Sequence, residues 1–247
     1  MSVLSLVQFE PDRESLARWA ALHEQRLGLK ASGDAIDSGY SWHSLLTAAF
    51  GKHAPRPFVD RQTLRSNLVL GYAPVEPGSL QANPKLDVLA SNALAIERMK
   101  MTLMPSDWRE GQTLGFEVRC RPIIRTRRHA RSGKIDEMDV AVHAAIEDPE
   151  IKREQAYADW LDRELNRDGA CKLEQVRMAS FRRTRILRRN QGAERTAKLI
   201  EGPEAWLVGS LVIKQPAAFE ALLQRGLGRH RAFGFGCLIL ARPGVLG

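Results

Sequence analysis

Cysteine is scarce in this sequence of 247 residues, which contains only Cys120, Cys171 and Cys237. The three lie far apart and form no CxxC pair, which argues against a disulfide framework and against a cysteine-ligated zinc site. The six histidines likewise show no HxxxH or histidine–carboxylate spacing that is typical of a metal site. We therefore expect a reducing compartment, the cytoplasm, and neither a metal nor another cofactor.

Long apolar stretches are also missing. The two longest, near residues 205–213 and 232–241, are well short of the roughly 20 residues that cross a bilayer. The N-terminal residues turn acidic early and carry no basic segment before an apolar one, so they do not predict a secretory signal. The sequence therefore predicts no membrane partner, while its 44% of apolar residues suffices for a folded core.

Positive charge, in contrast, is in excess. The chain has 37 Lys and Arg against 29 Asp and Glu, a formal charge of +8, which predicts a polyanionic partner. Aromatic residues make up only 6% of the chain, which disfavours base stacking on a sheet and favours recognition of nucleic acid through backbone and shape.

Most of this charge lies in two arginine-rich clusters. Arginine binds phosphate in a bidentate manner, so both clusters predict contacts to a nucleic-acid backbone. A solvated face is the alternative reading of any single charge run. The first cluster contains Arg119, Arg121, Arg125, Arg127, Arg128, Arg131 and Lys134. The second lies in a segment whose alternation predicts a β-hairpin and includes Arg182, Arg183, Arg185, Arg188 and Arg189.

The order of predicted elements repeats approximately. Residues 1–104 predict strand, helix, a second helix from 40 to 50, two short strands, a helix-permissive stretch at 78–94 and a strand at 96–104. After a boundary near 105–107, a long strand at 113–124 is followed by a helix at 152–167, strands at 173–187 and 205–213, a helix at 217–224 and a strand at 237–241. We therefore predict an α+β protein of tandem ferredoxin-like, RRM-like βαββαβ domains, residues 1–108 and 109–247.

The helix at 40–50 carries a candidate for catalysis. Its apolar residues Trp42, Leu45, Leu46, Ala49 and Phe50 define one buried stripe, and Tyr40 and His43 lie on the flank of that stripe. Side chains three residues apart can meet one small group, and histidine and tyrosine together can move protons in RNA cleavage by a ribose 2′-hydroxyl. A surface or capping histidine is the alternative reading.

A glycine-rich segment precedes the last strand. Its order, from helix to strand, is the reverse of a dinucleotide fingerprint, and it lacks the GK[ST] of a Walker loop. Glycines allow backbone N–H groups to approach a phosphate, whereas a helix cap and tight strand entry are the structural alternative. The candidate residues are Gly226, Gly228, Arg229, His230, Arg231, Gly234 and Gly236.

These motifs together resemble those of the CRISPR RNA-processing endoribonucleases, of the CasE (Cse-type, type I-E) branch or a close type IV relative. The residues from Gly226 to Leu240 resemble the glycine-rich C-terminal signature of that family, and GYSWHSLLTAAFG resembles its Tyr-x-x-His helix. Support comes from a Pro-Phe strand at Pro57, from FEVRCRP beginning at Phe116 and from ADWL beginning at Ala158. The resemblance spans nearly the whole chain, apart from insertions at 12–39 and 125–149.

The resemblance implies a metal-independent endoribonuclease that binds the repeat hairpin of precursor CRISPR RNA. Such an enzyme cuts at the 3′ base of the hairpin, with His43 as general acid or base and Tyr40 assisting. It then retains the mature RNA as a subunit of a CRISPR surveillance ribonucleoprotein complex.

Other readings stay open at this point. One is a non-catalytic subunit that binds the hairpin, and another is a type IV variant in which arginines carry the catalysis. A DNA-binding regulator also fits the charge, although no helix-turn-helix pattern or zinc spacing is visible.

Overall fold

The chain folds into two units, each built around a four-stranded sheet. In this computed structural model, residues 3–26, 38–63, 66–81, 86–126, 136–189 and 197–244 are described. One unit consists of the described residues of Met1–Ser106, Ile186–Leu199 and Ala232–Gly234; the other consists of those of Asp107–Arg185, Ile200–Arg231 and Phe235–Gly247. The predicted division at residues 108 and 109 stays a prediction.

The first unit has the strand order of a ferredoxin-like domain. Its elements are β1 (Ser5–Phe9), α1 (Arg13–Arg26), α2 (Ser38–Phe50), β2 (Phe58–Thr63), β3 (Ser66–Ala73), α3 (Val88–Leu94) and β4 (Lys100–Leu103). The sheet runs β2-β3-β1-β4, and β1 pairs antiparallel with both β3 and β4. A βαββαβ chain produces this order because each helical connection joins two strands that are not adjacent in the sheet.

The core of this unit confirms the predicted stripe on α2. Each of the five stripe residues is at most 8% exposed, and together with Phe9, Leu16 and Trp19 they form one apolar cluster. The stripe fixes the rotation of α2 about its axis, because turning the helix would expose Trp42 and Leu45. Tyr40 and His43 are half-buried as a consequence.

The second unit repeats the arrangement. Its elements are β5 (Thr113–Cys120), β6 (Ile123–Thr126), β7 (Asp136–Asp139), α4 (Val140–Glu147), α5 (Arg153–Leu165), β8 (Cys171–Arg189), β9 (Ala197–Ile213), α6 (Pro216–Arg225) and β10 (Leu238–Ala241). The sheet runs β10-β5-β9-β8, and β6 and β7 pair separately as a two-stranded sheet. The tandem ferredoxin-like fold is therefore confirmed.

Several predicted boundaries were wrong. The strand predicted at 205–213 begins earlier, at Ala197. The strand at 113–124 ends at Cys120, because Pro122 has no N–H to donate and the chain leaves the main sheet there to form β6. The strand at 96–104 begins only at Lys100, since Ala95 has a φ of 45° and a 3₁₀ turn follows it. Of the described residues of the stretch at 78–94, the α-helix comprises Val88–Leu94, and the Asp87 carboxylate accepts a hydrogen bond from the Ala90 N–H at its start.

All three cysteines are free thiols in the interior. Of the helices in the described ranges, none combines the length and the apolar character needed to span a membrane.

Candidate active site and nucleic-acid interface

His43 lies on α2 with its imidazole partly shielded from solvent. Its ring contacts the ring of Phe233 edge to face, with centroids 5.6 Å apart and planes at 66°. Phe233 ends a 3₁₀ turn within the glycine-rich segment, so one residue of that segment lies against the predicted catalytic histidine. The sequence analysis did not single out Phe233, and its position between the glycines of the C-terminal segment was the only signal for it.

The environment of His43 favours its neutral form. Burial lowers the pKa of the imidazole below its usual 6.5, and the positive charge of Arg56 lowers it further. A neutral imidazole at neutral pH can accept a proton, which is the property that a general base needs. Tyr40, one turn earlier on the same helix, is also half-buried, whereas Thr47 on the same flank is exposed.

Arg121, in the first arginine cluster, is buried rather than presented to a partner. It is 1% exposed, and its guanidinium donates to the carbonyl oxygens of Pro203 and Thr184 at 3.1 and 2.8 Å. Gly202 makes room for it, because a Cβ there would lie 2.8 Å from Nη2. These hydrogen bonds tie the chain just after β5 to β8 and β9, and contact of Arg121 with a phosphate stays a prediction.

Arg119 is also engaged within the protein. The buried carboxylate of Glu204 accepts hydrogen bonds from Arg119 at 2.8 and 3.0 Å and from Arg182 at 2.6 and 2.9 Å. Burial alone would raise the pKa of Glu204, but these hydrogen bonds and charges outweigh it and lower the pKa. The Arg119 guanidinium also lies 4.6 Å from the centre of the Phe235 ring. This network was not predicted from the sequence.

The remaining described arginines of the clusters do reach solvent. Arg182, Arg183 and Arg185 have 64%, 54% and 61% of their side chains exposed, and Arg125 is exposed as well. Arg183 and Arg185 share the half-exposed carboxylate of Glu201. Arg127, Arg128, Arg131 and Lys134 lie outside the described residues, as do the side chains of Arg188 and Arg189.

The polar groups of the glycine-rich segment bind other protein groups. Glu137 on β7 accepts from Arg229 at 2.9 Å and lies 2.8 Å from Nε2 of His230. The Gly228 N–H donates to Glu164, and Arg231 donates to the carbonyl oxygen of Arg225. These contacts hold the segment in one conformation, and contact of its residues with phosphate stays a prediction.

Two glycines of the segment meet specific steric demands. Gly226 ends α6 with a φ of 72°. Gly236 has a φ of 75°, and a Cβ at this position would lie 2.0 Å from the carbonyl oxygen of Leu227. Side chains other than hydrogen fit neither the backbone angle nor the space at Gly236.

We expect Gly236→Ala to destabilise the protein far more than Gly111→Ala. Gly111 has a φ of 78° but nothing within 4 Å of the position that a methyl group would take, so it isolates the cost of the positive φ, about 1 kcal/mol. The clash at Gly236 adds about 1–3 kcal/mol of overpacking. Thermal unfolding of both variants checks this, and equal shifts of Tm would contradict the steric role of Gly236.

Among the described residues, no group of three or more His, Cys, Asp and Glu side chains is placed to hold a metal ion.

Comparison with known proteins identifies one family and several solved structures with a similar fold. The model of the CRISPR associated protein family matches residues 5–242. A solved CRISPR endoribonuclease Cse3 bound to a 19-nucleotide RNA superposes with a TM-score of 0.64 and 20% identity, covering 97% of this chain and 99% of that chain. No curated protein matches.

Two further structures with named sources have the same fold. Thermus thermophilus Cse3, bound to an RNA representing a pre-cleavage complex, has a TM-score of 0.62 and 19% identity over 97% of this chain and 99% of its own. Cas6e from Escherichia coli K-12 has a TM-score of 0.53 and 20% identity over the same shares.

Proposed function

The chain belongs to the CRISPR-associated protein family, whose model matches nearly its whole length, and we propose that it is an endoribonuclease that matures CRISPR RNA. It binds the repeat hairpin of the precursor RNA and cuts the strand at the 3′ base of the hairpin. The ribose 2′-hydroxyl attacks the adjacent phosphate and the 5′ oxygen departs. The products are a 2′,3′-cyclic phosphate, or a 3′-phosphate once the ring opens, and a 5′-hydroxyl.

The observation that carries this proposal is the placement of His43, which is half-buried against Phe233 of the glycine-rich segment and lies on the same flank of α2 as Tyr40. Its burial also lowers the pKa of the imidazole. Neutral His43 accepts the 2′ proton as oxygen attacks phosphorus, and a proton must reach the departing 5′ oxygen. Tyr40 assists by donating or orienting a hydrogen bond. Exposed arginines steady the charge that develops on the phosphate.

The exposed arginines on β8 support RNA as the partner. This edge strand exposes the guanidinium groups of Arg182, Arg183 and Arg185, which are paired with carboxylates. Each of them can neutralise a phosphate once the phosphate replaces the carboxylate. The solved relatives fit the same activity, since they are endoribonucleases bound to RNA and parts of a CRISPR RNA-guided surveillance complex. By this reasoning the mature RNA stays bound and the protein acts as a subunit of such a complex.

Cleavage in EDTA tests the proposal against its binding-only alternative. Purified protein is incubated with end-labelled hairpin RNA of its own repeat, with EDTA or with Mg²⁺. Because the reaction needs only proton transfer, we expect a single cut near the hairpin base at similar rates in both. Tight binding without a cut in either buffer would make the protein a non-catalytic subunit, and a cut that requires Mg²⁺ would contradict the proton-transfer mechanism.

A further inference from the structure

A cavity of about 210 Å³ opens in the second unit, where β6, β7 and the start of α4 face the strands β8 and β9. All of its lining residues belong to the second unit, whereas His43 belongs to the first, and the cleavage chemistry described above does not use it. Its apolar wall consists of Ile123, Met138, Val142, Ile200 and Pro203. Such a wall suits a flat, mostly apolar group.

The charged groups that line the cavity disfavour a phosphate as its occupant. Three carboxylates line it, those of Glu137, Asp139 and Glu201, against the guanidinium groups of Arg121 and Arg183. The lining is therefore negative overall when all five are ionised. Asp139 is saturated by the Ala141 N–H, Arg153 and Tyr157.

Glu137 and Glu201 keep the capacity to accept more hydrogen bonds. Among the described residues, Arg229 and His230 each contact one oxygen of Glu137, and Arg183 and Arg185 each contact one oxygen of Glu201, whereas a carboxylate oxygen has two lone pairs. The cavity is thus apolar on one side and rich in acceptors on the other. A nucleobase with an exocyclic amino group is complementary to such a cavity, since the base is flat and donates hydrogen bonds from N–H groups.

An exposed aromatic ring outside the lining is linked to the cavity through Arg153, which binds the lining residue Asp139. Phe181 on β8 is 37% exposed, and the Arg153 guanidinium lies 4.3 Å from the centre of its ring. Asp139 and the Tyr157 hydroxyl hold Arg153 in place at 2.6 and 2.7 Å. Because side chains alternate along a strand, Phe181, Arg183 and Arg185 lie on one side of β8. An aromatic ring followed by two exposed cations matches a base followed by its phosphates.

We propose that this cavity receives one unpaired nucleobase of the RNA, from the single-stranded flank next to the hairpin. The base enters between the apolar wall and the carboxylates of Glu137 and Glu201, while Arg183 contacts its phosphate and a neighbouring base stacks on Phe181. A paired base cannot enter, since its edge is occupied and the groove of an RNA helix hides it. Cytosine, adenine and guanine fit better than uracil, which lacks an amino group. The inference rests on the proposed function and extends it to a flanking-nucleotide site.

Two tryptophan substitutions on α4 test the inference. Val142 lines the cavity and is 46% exposed, whereas Ile146, one turn later, is 48% exposed and outside the cavity lining. Val142→Trp fills the cavity and Ile146→Trp does not. Kd is measured for the repeat hairpin with its single-stranded flank and for the hairpin trimmed to its stem and loop. We expect Val142→Trp to raise Kd for the flanked RNA at least about fivefold, with no change for Ile146→Trp or for the trimmed RNA.

A scan of abasic sites identifies the nucleotide. For the wild-type protein, removal of the base at one flank position should raise Kd by the same factor as Val142→Trp does. At that position, RNA with cytosine should bind more tightly than RNA with uracil. Val142→Trp should not respond to the abasic site there, because the two changes remove one interaction.

Normal binding of flanked RNA by Val142→Trp, or a flank without any sensitive position, would overturn the inference and leave the cavity to another occupant, such as a protein side chain. Wild-type protein that binds neither RNA would overturn the proposed function itself, and the inference with it.

Discussion

Replacing His43 with alanine is expected to lower the rate of cleavage by about 10²- to 10⁴-fold while the Kd for the hairpin RNA stays within about twofold. In the proposed mechanism the imidazole transfers a proton, and we assign the binding of RNA to exposed arginines elsewhere on the chain. Single-turnover cleavage and equilibrium binding of the same labelled hairpin measure the two effects separately.

His53→Ala is the matched control for this substitution. His53 lies in the exposed 3₁₀ turn that follows α2, in the same unit as His43, and the variant should cleave at the wild-type rate. A His43→Ala variant that cleaves as fast as His53→Ala would remove His43 from the mechanism and leave the chemistry to arginines.

The pH dependence of cleavage should carry the signature of His43. Burial and then the charge of Arg56 lower its pKa, so the neutral base persists below the usual 6.5. Activity should therefore hold as pH falls through 6.5 and decline only below it, once the imidazole is protonated. Arg56→Ala removes the smaller of the two causes and should move this decline to higher pH.

The second large effect concerns stability: Glu204→Ala is expected to cost about 3–5 kcal/mol. Glu204 is 1% exposed, and its loss leaves the Arg119 guanidinium, whose side chain is only 12% exposed, without an opposing charge. Arg182 can turn to solvent, because 64% of its side chain is already exposed. Arg119 cannot do so without breaking its packing on Phe235.

Glu201→Ala provides the comparison. Glu201 also accepts from two arginines, but its side chain is 46% exposed and both partners reach solvent, so its loss should leave the stability almost unchanged. Thermal unfolding checks both variants, and for a chain of this size the Glu204 variant should melt roughly 6–20 °C lower than the wild type. Similar Tm values for the two variants would contradict the conclusion that buried Arg119 stabilises the fold only when Glu204 opposes its charge.

The local pattern of apolar residues predicted most of the fold, because a helix or strand with one buried face repeats its apolar residues at a characteristic spacing. The stripe on α2 and the buried face of α5, with Tyr157, Trp160 and Leu161, follow directly from residues at helical spacing. The repeated order of strands and helices then leads to two ferredoxin-like sheets, as the strand orders confirm. The boundaries that failed depended on details that a period does not contain, such as the left-handed backbone at Ala95.

The arginine clusters show where sequence reasoning stops. A run of cations does not reveal which side chains turn inward, since that depends on partners far along the chain. Arg119 meets Glu204 at a separation of 85 residues, and Arg229 meets Glu137 at 92. A local window of sequence contains neither carboxylate, so it could not predict these two ion pairs.

The family, in contrast, was predicted from a few motifs and is confirmed by the match over residues 5–242. The Tyr40 and His43 helix and the glycine-rich segment carried that resemblance. The structure adds the contact between His43 and Phe233, which joins one residue from each of these two motifs. Only a folded chain could show this contact, since the two residues lie near opposite ends of the sequence.

The most direct test of the account is cleavage of a repeat hairpin that carries a single 2′-deoxy substitution at the nucleotide before the cut. With wild-type protein in EDTA, the all-ribose RNA should be cut once and its 5′ product should end in a 2′,3′-cyclic phosphate or a 3′-phosphate. The deoxy RNA should bind equally well and stay intact, because the attacking oxygen is missing. A deoxy RNA cut at the same position would contradict attack by the 2′-hydroxyl and, with it, the role assigned to His43.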